Sequence, residues 1–451
     1  MKKHYILLLK ELIQNRCVND GTPESGDEIK SVHTLKKFFD SYNIKSEILQ
    51  SSENRGNFLI RIPGTDPHAP SLMYMNHLDV VPAGGDDWSC DPFSADERGG
   101  YILGRGTLDM LNITASSACA FADCIKTHTQ FPGDFIYLSV ADEEASGRLG
   151  ARWLVENYWD KVKTNYMVTE GGGFFLHNKQ KSGITISTGE KGLAWTKLTT
   201  NGISGHGSMP FMAKNAAIKL ARGVARIHLH PQKAVITKEF REMVKKLGLS
   251  FLSRKMLQYA GSLDHGLKQL YRISPGLARH LHAISRITIS PNLIQAGNKV
   301  NIIPDKGEAD LDIRILPGQT VEDVMQLIKA ALGPMSKDFT IEVVDFFPSN
   351  ISPVNTPLFD ATNEILKSIY PGISCIPTLF SGVTDARFWR MRGSIVYGFA
   401  LFDENMTLDE YARMLHGKDE RVSVKSLELS YNYFRTLPEV FFRKAAQEDC
   451  S

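Results

Sequence analysis

Seven side chains in this sequence have the types and positions to do chemistry together: His77 and Asp79 in His77-Leu78-Asp79, Asp109, the pair Glu143-Glu144, Glu170, and His416. Each has an ordinary reading when taken alone. A His-x-Asp at a strand end is commonly a structural hydrogen bond, paired glutamates after a strand a solvated loop, and an aspartate before a helix its cap. Together they read differently, because each falls at the mouth of an apolar run, where a charge must be paired or bind a metal. Two divalent cations held about 3.5–4 Å apart need a bridging carboxylate, a further carboxylate and an imidazole each, and one free base for a shared water. The set supplies that number of groups.

The elements that must position these residues follow from the flanking patterns. Ser71–Val81 is a dense apolar run broken by Asn76, His77 and Asp79, and Asp134–Ala141 is another, ending at Asp142-Glu143-Glu144. Both suit buried strands with polar tips. Thr114–Thr127 reads as a packed helix between them. This alternation predicts an α/β sheet with helices on its faces, whose chemistry gathers at the carboxyl ends of strands.

The style changes near Gly189. A strand over Leu193–Thr200, a helix over Ala213–Ile227, strands over Ile287–Ile294 and Lys306–Leu316, a helix over Val321–Leu332 and a strand over Thr340–Phe346 follow the order of a split βαβ unit. The first style resumes after Pro348. The expected organisation is therefore a first part at 1–190, an inserted unit at 191–347 and a second part at 348–451. Within the insert, residues 238–286 carry ten basic against three acidic side chains, a net of +7 in a chain that totals +2. Phe240, Met243, Val244 and Leu247 share one helical face, and Leu263, Leu267, Leu270 and Tyr271 another. Two extra helices at about 232–286, packed on the small unit, are expected.

Composition bounds the function. The chain has 451 residues, 42% apolar, with Lys plus Arg at 52 against Asp plus Glu at 50. That length predicts two or three cores and excludes a single small binding module. The near balance of charge gives no reason to expect a nucleic acid partner. Six cysteines without a CxxC pair (Cys17, Cys90, Cys119, Cys124, Cys375 and Cys450) read as reduced thiols of a cytoplasmic protein. Tyr5-Ile-Leu-Leu-Leu9 is interrupted by Lys10, Glu11 and Asn15, so it reads as an amphipathic helix, with neither a targeting segment nor a membrane span expected.

The motifs MNHLDVVP (75–82), Trp88-Ser-Cys-Asp-Pro-Phe93, GRGTLDM (104–110), ADEEASGRLGA (141–151), TEGGG (169–173), GISGHGSMP (202–210), GNKVNIIP (297–304), DIRILPG (312–318), SGVTDARFWR (381–390) and MLHGKDERV (414–422) stand in one order along most of the chain. In this the sequence resembles the di-zinc amidohydrolases and exopeptidases that include acetylornithine deacetylase, succinyl-diaminopimelate desuccinylase, aminoacylase and carboxypeptidase S, and looks most like the carboxypeptidase S branch. The resemblance implies a catalytic three-layer α/β/α domain with an inserted ferredoxin-like lid and dimerisation domain. It implies two Zn2+, with Co2+ or Mn2+ as substitutes: His77, Asp109 and Glu170 around one, Asp109, Glu144 and His416 around the other. Asp79 would orient His77, and Glu143 would be the general base. His206 would reach the site from a partner subunit of a homodimer, Asn301 and Arg314 would bind substrate, and Gly382 and Thr384 would line the carboxylate end of the pocket.

One departure from that resemblance is Met110-Leu111-Asn112, where a charge normally follows the bridging aspartate. His228/His230 and His280/His282 fall outside the motifs and read as ordinary helix or surface histidines. The expected activity is hydrolysis of an amide beside a free carboxylate, as in a carboxypeptidase, dipeptidase or N-acyl-amino-acid deacylase. Trp88 and Phe93 suggest an apolar side chain or acyl group. Two other readings are weaker. An idle relative that only binds a peptide or metabolite has no need of Glu143, and a dinucleotide fold fails because Gly104-x-Gly106 lacks its third glycine. The basic insert suggests contact with an acyl chain or an anionic membrane, though a solvated basic face is the simpler account.

Overall fold

Side chains alternate strictly across Leu72–His77: Leu72 and Tyr74 enter one apolar core, Met73 and Met75 another. A strand buried on both faces must lie in the middle layer of three. The computed structural model describes residues 3–85, 87–127, 130–176 and 183–448 and builds that layer as a nine-stranded mixed sheet. Cys450 lies outside the described residues.

The sheet runs Glu47–Ser52, Arg55–Ile62, Phe135–Val140, Leu72–His77, Tyr166–Thr169, Ile395–Gly398, Ile184–Glu190 and Asn350–Ile351, with Cys375–Phe380 parallel to Ile184–Glu190. Phe135–Val140, Leu72–His77 and Tyr166–Thr169 are adjacent and parallel. Their carboxyl ends bring Glu143-Glu144, His77 and Glu170 side by side. On one face pack the helices His4–Gln14, Leu111–Thr127, Pro357–Ile369 and Val424–Glu448; on the other, Ala151–Asn157 and Ala386–Arg390. The fold is thus mixed α/β with helices on both sides of the sheet.

The chain leaves this sheet after Glu190 and re-enters it at Asn350. In between, Gly192–Asn201, Thr288–Ala296, Lys306–Ile315 and Phe339–Phe347 form an antiparallel four-stranded sheet in which Thr288–Ala296 and Phe339–Phe347 are the edges. Helices Ala216–Leu229 and Val321–Leu332 cover one face of it and share its core. At the crossing, Glu190 accepts hydrogen bonds from the Thr384 backbone N–H and hydroxyl and from Arg390. The next residue, Lys191, donates its ammonium to the carbonyls of Ala283 and Arg286 and to the Thr288 hydroxyl.

The basic segment departs from expectation twice. It holds four short helices, Lys238–Lys245, Phe251–Leu257, Ala260–Tyr271 and Pro275–Ile284, where two were expected. Gly248 at positive φ and a Ser250 cap that accepts from Ser253 N–H break the first amphipathic stretch. The core of this helical segment also lies apart from that of the four-stranded sheet. The segment's core of Phe240, Met243, Val244, Leu267 and Leu281 closes over Leu176 and Ile376 from the large-sheet half, with Leu379 and Leu408 packed against it. Asp409, in the helix Leu408–Met414, accepts from the Ser274 hydroxyl and Gly276 N–H at the start of Pro275–Ile284. Among the described residues no helix is long and apolar enough to cross a membrane.

Candidate metal centre

The bridging geometry sits on Asp109. Its Oδ1 lies 3.0 Å from His77 Nε2 and its Oδ2 lies 3.1 Å from His416 Nε2. Each imidazole faces a second carboxylate: Glu170 Oε2 is 3.9 Å from His77 Nε2, and Glu144 Oε2 is 3.6 Å from His416 Nε2. Ligand atoms of His77, Asp109 and Glu144 lie within 4.8 Å of one another, as do those of His77, Glu143 and Glu170. The structure therefore gathers His77, Asp109, Glu143, Glu144, Glu170 and His416 into one cluster. His416 is exposed, at φ 56°, and forms the solvent-facing side of an otherwise enclosed group.

Asp79 works from behind. Its carboxylate accepts the backbone N–H groups of Glu143 and Glu144 and the Asn19 amide, which fixes the Glu143–Ala145 turn. His77 Nδ1 lies 3.0 Å from the Asp79 carbonyl and 3.4 Å from its carboxylate, so the backbone oxygen is the nearer partner. A buried chain of Arg55, Glu28, Asn19 and Asp142 extends this support. On the far side Glu420 accepts from Arg105 and from the N–H groups of Leu108 and Asp109, and Arg105 also donates to the His416 carbonyl. One buried ion pair thereby holds the loops of Asp109 and His416 together. Met110 is buried, and its sulfur accepts the His77 N–H at 3.3 Å. An apolar residue is suited to that position.

The electrostatics call for cations. Burial pushes Glu143, Glu144 and Glu170 well above the usual carboxylate range, reinforced by Asp109 in all three cases and only partly opposed by His77. Burial would also raise Asp109, but hydrogen bonds from His416 and His77 hold it below its ordinary value. Glu144 Oε1 is buried without a partner among the described residues. Five carboxylates, counting Asp79, thus share a largely enclosed site with two imidazoles, and the donor set of nitrogens and oxygens fits divalent metals such as zinc.

Other expected site residues lie apart. His206 and Asn301 are exposed next to the four-stranded sheet, and among the described residues neither hydrogen-bonds the cluster; His206 pairs with Ser208. Arg314 is held by Asp312 at 2.7 Å. Gly382 lines a cavity beside the cluster, whereas the Thr384 hydroxyl is committed to Glu190. Trp88 and Phe93 are used otherwise than expected: their rings carry the guanidinium groups of Arg105 and Arg16.

Sequence reasoning did not single out Asp385, Tyr411 or Glu420. Asp385 is buried, accepts no hydrogen bond on either oxygen among the described residues, and has the Arg387 guanidinium 3.9 Å away; burial raises it to about 7, with Arg387 opposing. Tyr411 is buried among the same carboxylates: after burial, Asp109 and Glu170 are the largest influences raising its hydroxyl. Asp385 and Glu420 lie inside quoted motifs, TDAR and KDER, which was the available signal.

A model of the peptidase family M20/M25/M40 matches residues 73–439. An N-fatty-acyl-amino acid synthase/hydrolase, PM20D1 of Xenopus tropicalis, is 28% identical over 91% of this chain and 79% of its own length. A probable carboxypeptidase S-like protein of Dictyostelium discoideum is 25% identical over 82% of this chain and 72% of its own. Among solved structures, an M20 metallo-carboxypeptidase of Sulfolobus solfataricus superposes with a TM-score of 0.77 at 18% identity, covering 98% of this chain and 100% of that one. A dinuclear metal-binding M20 peptidase of Bacillus subtilis gives a TM-score of 0.59 at 13% identity, covering 98% and 100%.

Proposed function

The chain belongs to the peptidase family M20/M25/M40 and is a hydrolase of amide bonds; on that premise we propose that it uses two metal ions to cleave a peptide or N-acyl bond beside a free carboxylate. The observation that carries the reading is Asp109, which presents one oxygen to each of two imidazoles. His77, Asp109 and Glu170 would hold one ion, and Asp109, Glu144 and His416 the other. Bound there, zinc, or cobalt or manganese in its place, supplies acidification of water and polarisation of the scissile carbonyl.

The chain's own groups do the rest. Glu143, left over when the ligands are assigned, takes the proton of the attacking water on its carboxylate and returns it to the leaving amine. Asp79 fixes the turn that presents Glu143 and sets the orientation of His77. Arg314, released from Asp312, grips the substrate carboxylate as a bidentate fork, with Asn301 beside it and Gly382 and the Thr384 loop at that end. His206 donates to the developing oxyanion from a second copy.

We read residues 191–347 as the lid and dimerisation unit. The exposed edge strand Thr288–Ala296, with Leu293 and Ile294 bare, and exposed Ile218 on the neighbouring helix support a homodimer through this face. Free thiols at Cys17, Cys90, Cys119, Cys124 and Cys375 support a cytoplasmic location. The test is metal analysis together with hydrolysis of N-acyl amino acids and dipeptides by wild type and Glu143→Ala. Bound metal with activity lost in the variant supports the reading, and equal turnover by the two proteins overturns it.

A further inference from the structure

Beside the metal centre is a cavity of about 340 Å³ walled largely by apolar groups, among them Phe174, Phe380, Leu408, Tyr411 and Leu415. That volume is in the range of small-molecule sites. The cavity adjoins the proposed ligands directly: Gly171 in its wall follows Glu170, and Leu415 precedes His416. Gly382, placed above at the carboxylate end, also lines it, and the helix Pro275–Ile284 adds Gly276, Arg279, His280 and Ala283 to the wall.

Thr378 lines both this cavity and a second one of about 270 Å³, also bounded by the insert. The Thr378 hydroxyl lies 3.0 Å from His280 Nε2 on the first side and 3.7 Å from Met243 sulfur on the second. Burial holds His280 down to about 4, so near neutral pH its ring is uncharged. Arg279 donates to the Tyr271 hydroxyl and packs over that ring. The cavity therefore offers apolar space next to the scissile position, and the one cation among its lining residues, Arg279, is exposed and turned to Tyr271.

We propose that this cavity receives an unbranched aliphatic acyl chain of the substrate, and that the His280–Thr378 pair is the partition that sets the longest chain accepted. The proposal rests on the hydrolase reading above. Each methylene that leaves water for the cavity strengthens binding by about fourfold, until the chain meets the His280 ring, whose one hydrogen-bond partner among the described residues is the Thr378 hydroxyl. A longer chain must separate them.

The experiment is a series of N-acyl amino acids from acetyl through butanoyl and octanoyl to hexadecanoyl, hydrolysed by metal-loaded wild type, His280→Ala, Thr378→Ala and Ala283→Leu. Wild-type kcat/KM should climb by about fourfold per methylene and then break. His280→Ala and Thr378→Ala should move the break to longer chains, and Ala283→Leu to shorter ones. Metal content and melting temperature report whether each variant is folded. A second reading is calorimetric titration of straight-chain carboxylic acids into metal-free protein, where the same break should appear.

An unchanged break in the folded variants overturns the proposal, as does a break that follows the amino acid side chain while acyl length has no effect. Length-dependent binding without any hydrolysis, of acetyl substrates and dipeptides included, overturns the hydrolase reading and leaves the cavity assignment standing. Hydrolysis with no length dependence does the reverse.

Discussion

At the scale of single residues the site is a problem of uncompensated charge. Glu143→Gln keeps the shape of the carboxylate but cannot take a proton, so kcat should fall by about 10²–10⁴ fold while metal stoichiometry, measured by atomic emission, stays at the wild-type value. Chelation should lower the melting temperature, because ions that bind only the folded state add about 2.7 kcal/mol at a hundred times their dissociation constant; zinc, cobalt or manganese should restore it. His280 supplies a pH dependence of its own. Its folded pKa of about 4 lies below the ordinary 6.5, so the unfolded chain binds the proton first. The stability tied to its neutral form is whole above pH 6.5 and is withdrawn as pH falls toward 4. Melting curves of wild type and His280→Gln should therefore show wild type losing more stability across that window. The side chains proposed to bind metal were legible in the sequence because His77, Glu143, Glu144 and Glu170 close apolar runs, a local signal, while Asp109 and His416 stand in the quoted motifs. Asp385, Tyr411 and Asn19 were not, since only the folded chain brings them to the carboxylates.

At the scale of elements, three parallel strands deliver three of the proposed ligand positions, and a buried ion pair fastens the loops of the remaining two. Arg105 and Glu420 are 315 residues apart in sequence and fully enclosed. Glu420→Ala leaves a guanidinium unpaired in a dry site, which costs about 3–5 kcal/mol; thermal denaturation should register that loss, and metal affinity should drop because Asp109 and His416 are no longer held in register. Such pairs are invisible to periodicity. Helical periodicity did reveal apolar faces at 240–247 and 263–271, but an amphipathic face names no partner. The insert was expected on the small unit, and it closes instead over Leu176 and Ile376 of the large-sheet half. The signals that would have divided it correctly were Ser250 as a cap and Pro275 opening a helix after Ser274.

At the scale of the molecule, the proposed substrate groups are split between the two sheets: the candidate metal cluster on one, Asn301 and Arg314 on or beside the other. If His206 serves a second copy, then Glu143→Ala and His206→Ala should each be nearly inactive alone, and co-expression should regain activity in mixed dimers, where one site has both residues. Light scattering that shows a monomer, or a mixture no better than its parts, would remove the shared site. The joint itself is Glu190-Lys191, neighbours in the chain tied to different bodies. Glu190 is anchored to Thr384 and Arg390 in the large half, while Lys191 grips the carbonyls that end the insert and the first residue of the small sheet's edge strand. A displacement of the small sheet about this joint would pull on Ala283 through Lys191, and so on the helix that carries His280. The proposed grip on a substrate's carboxylate and the fit of its distant methyl end would then be two readings of one lever.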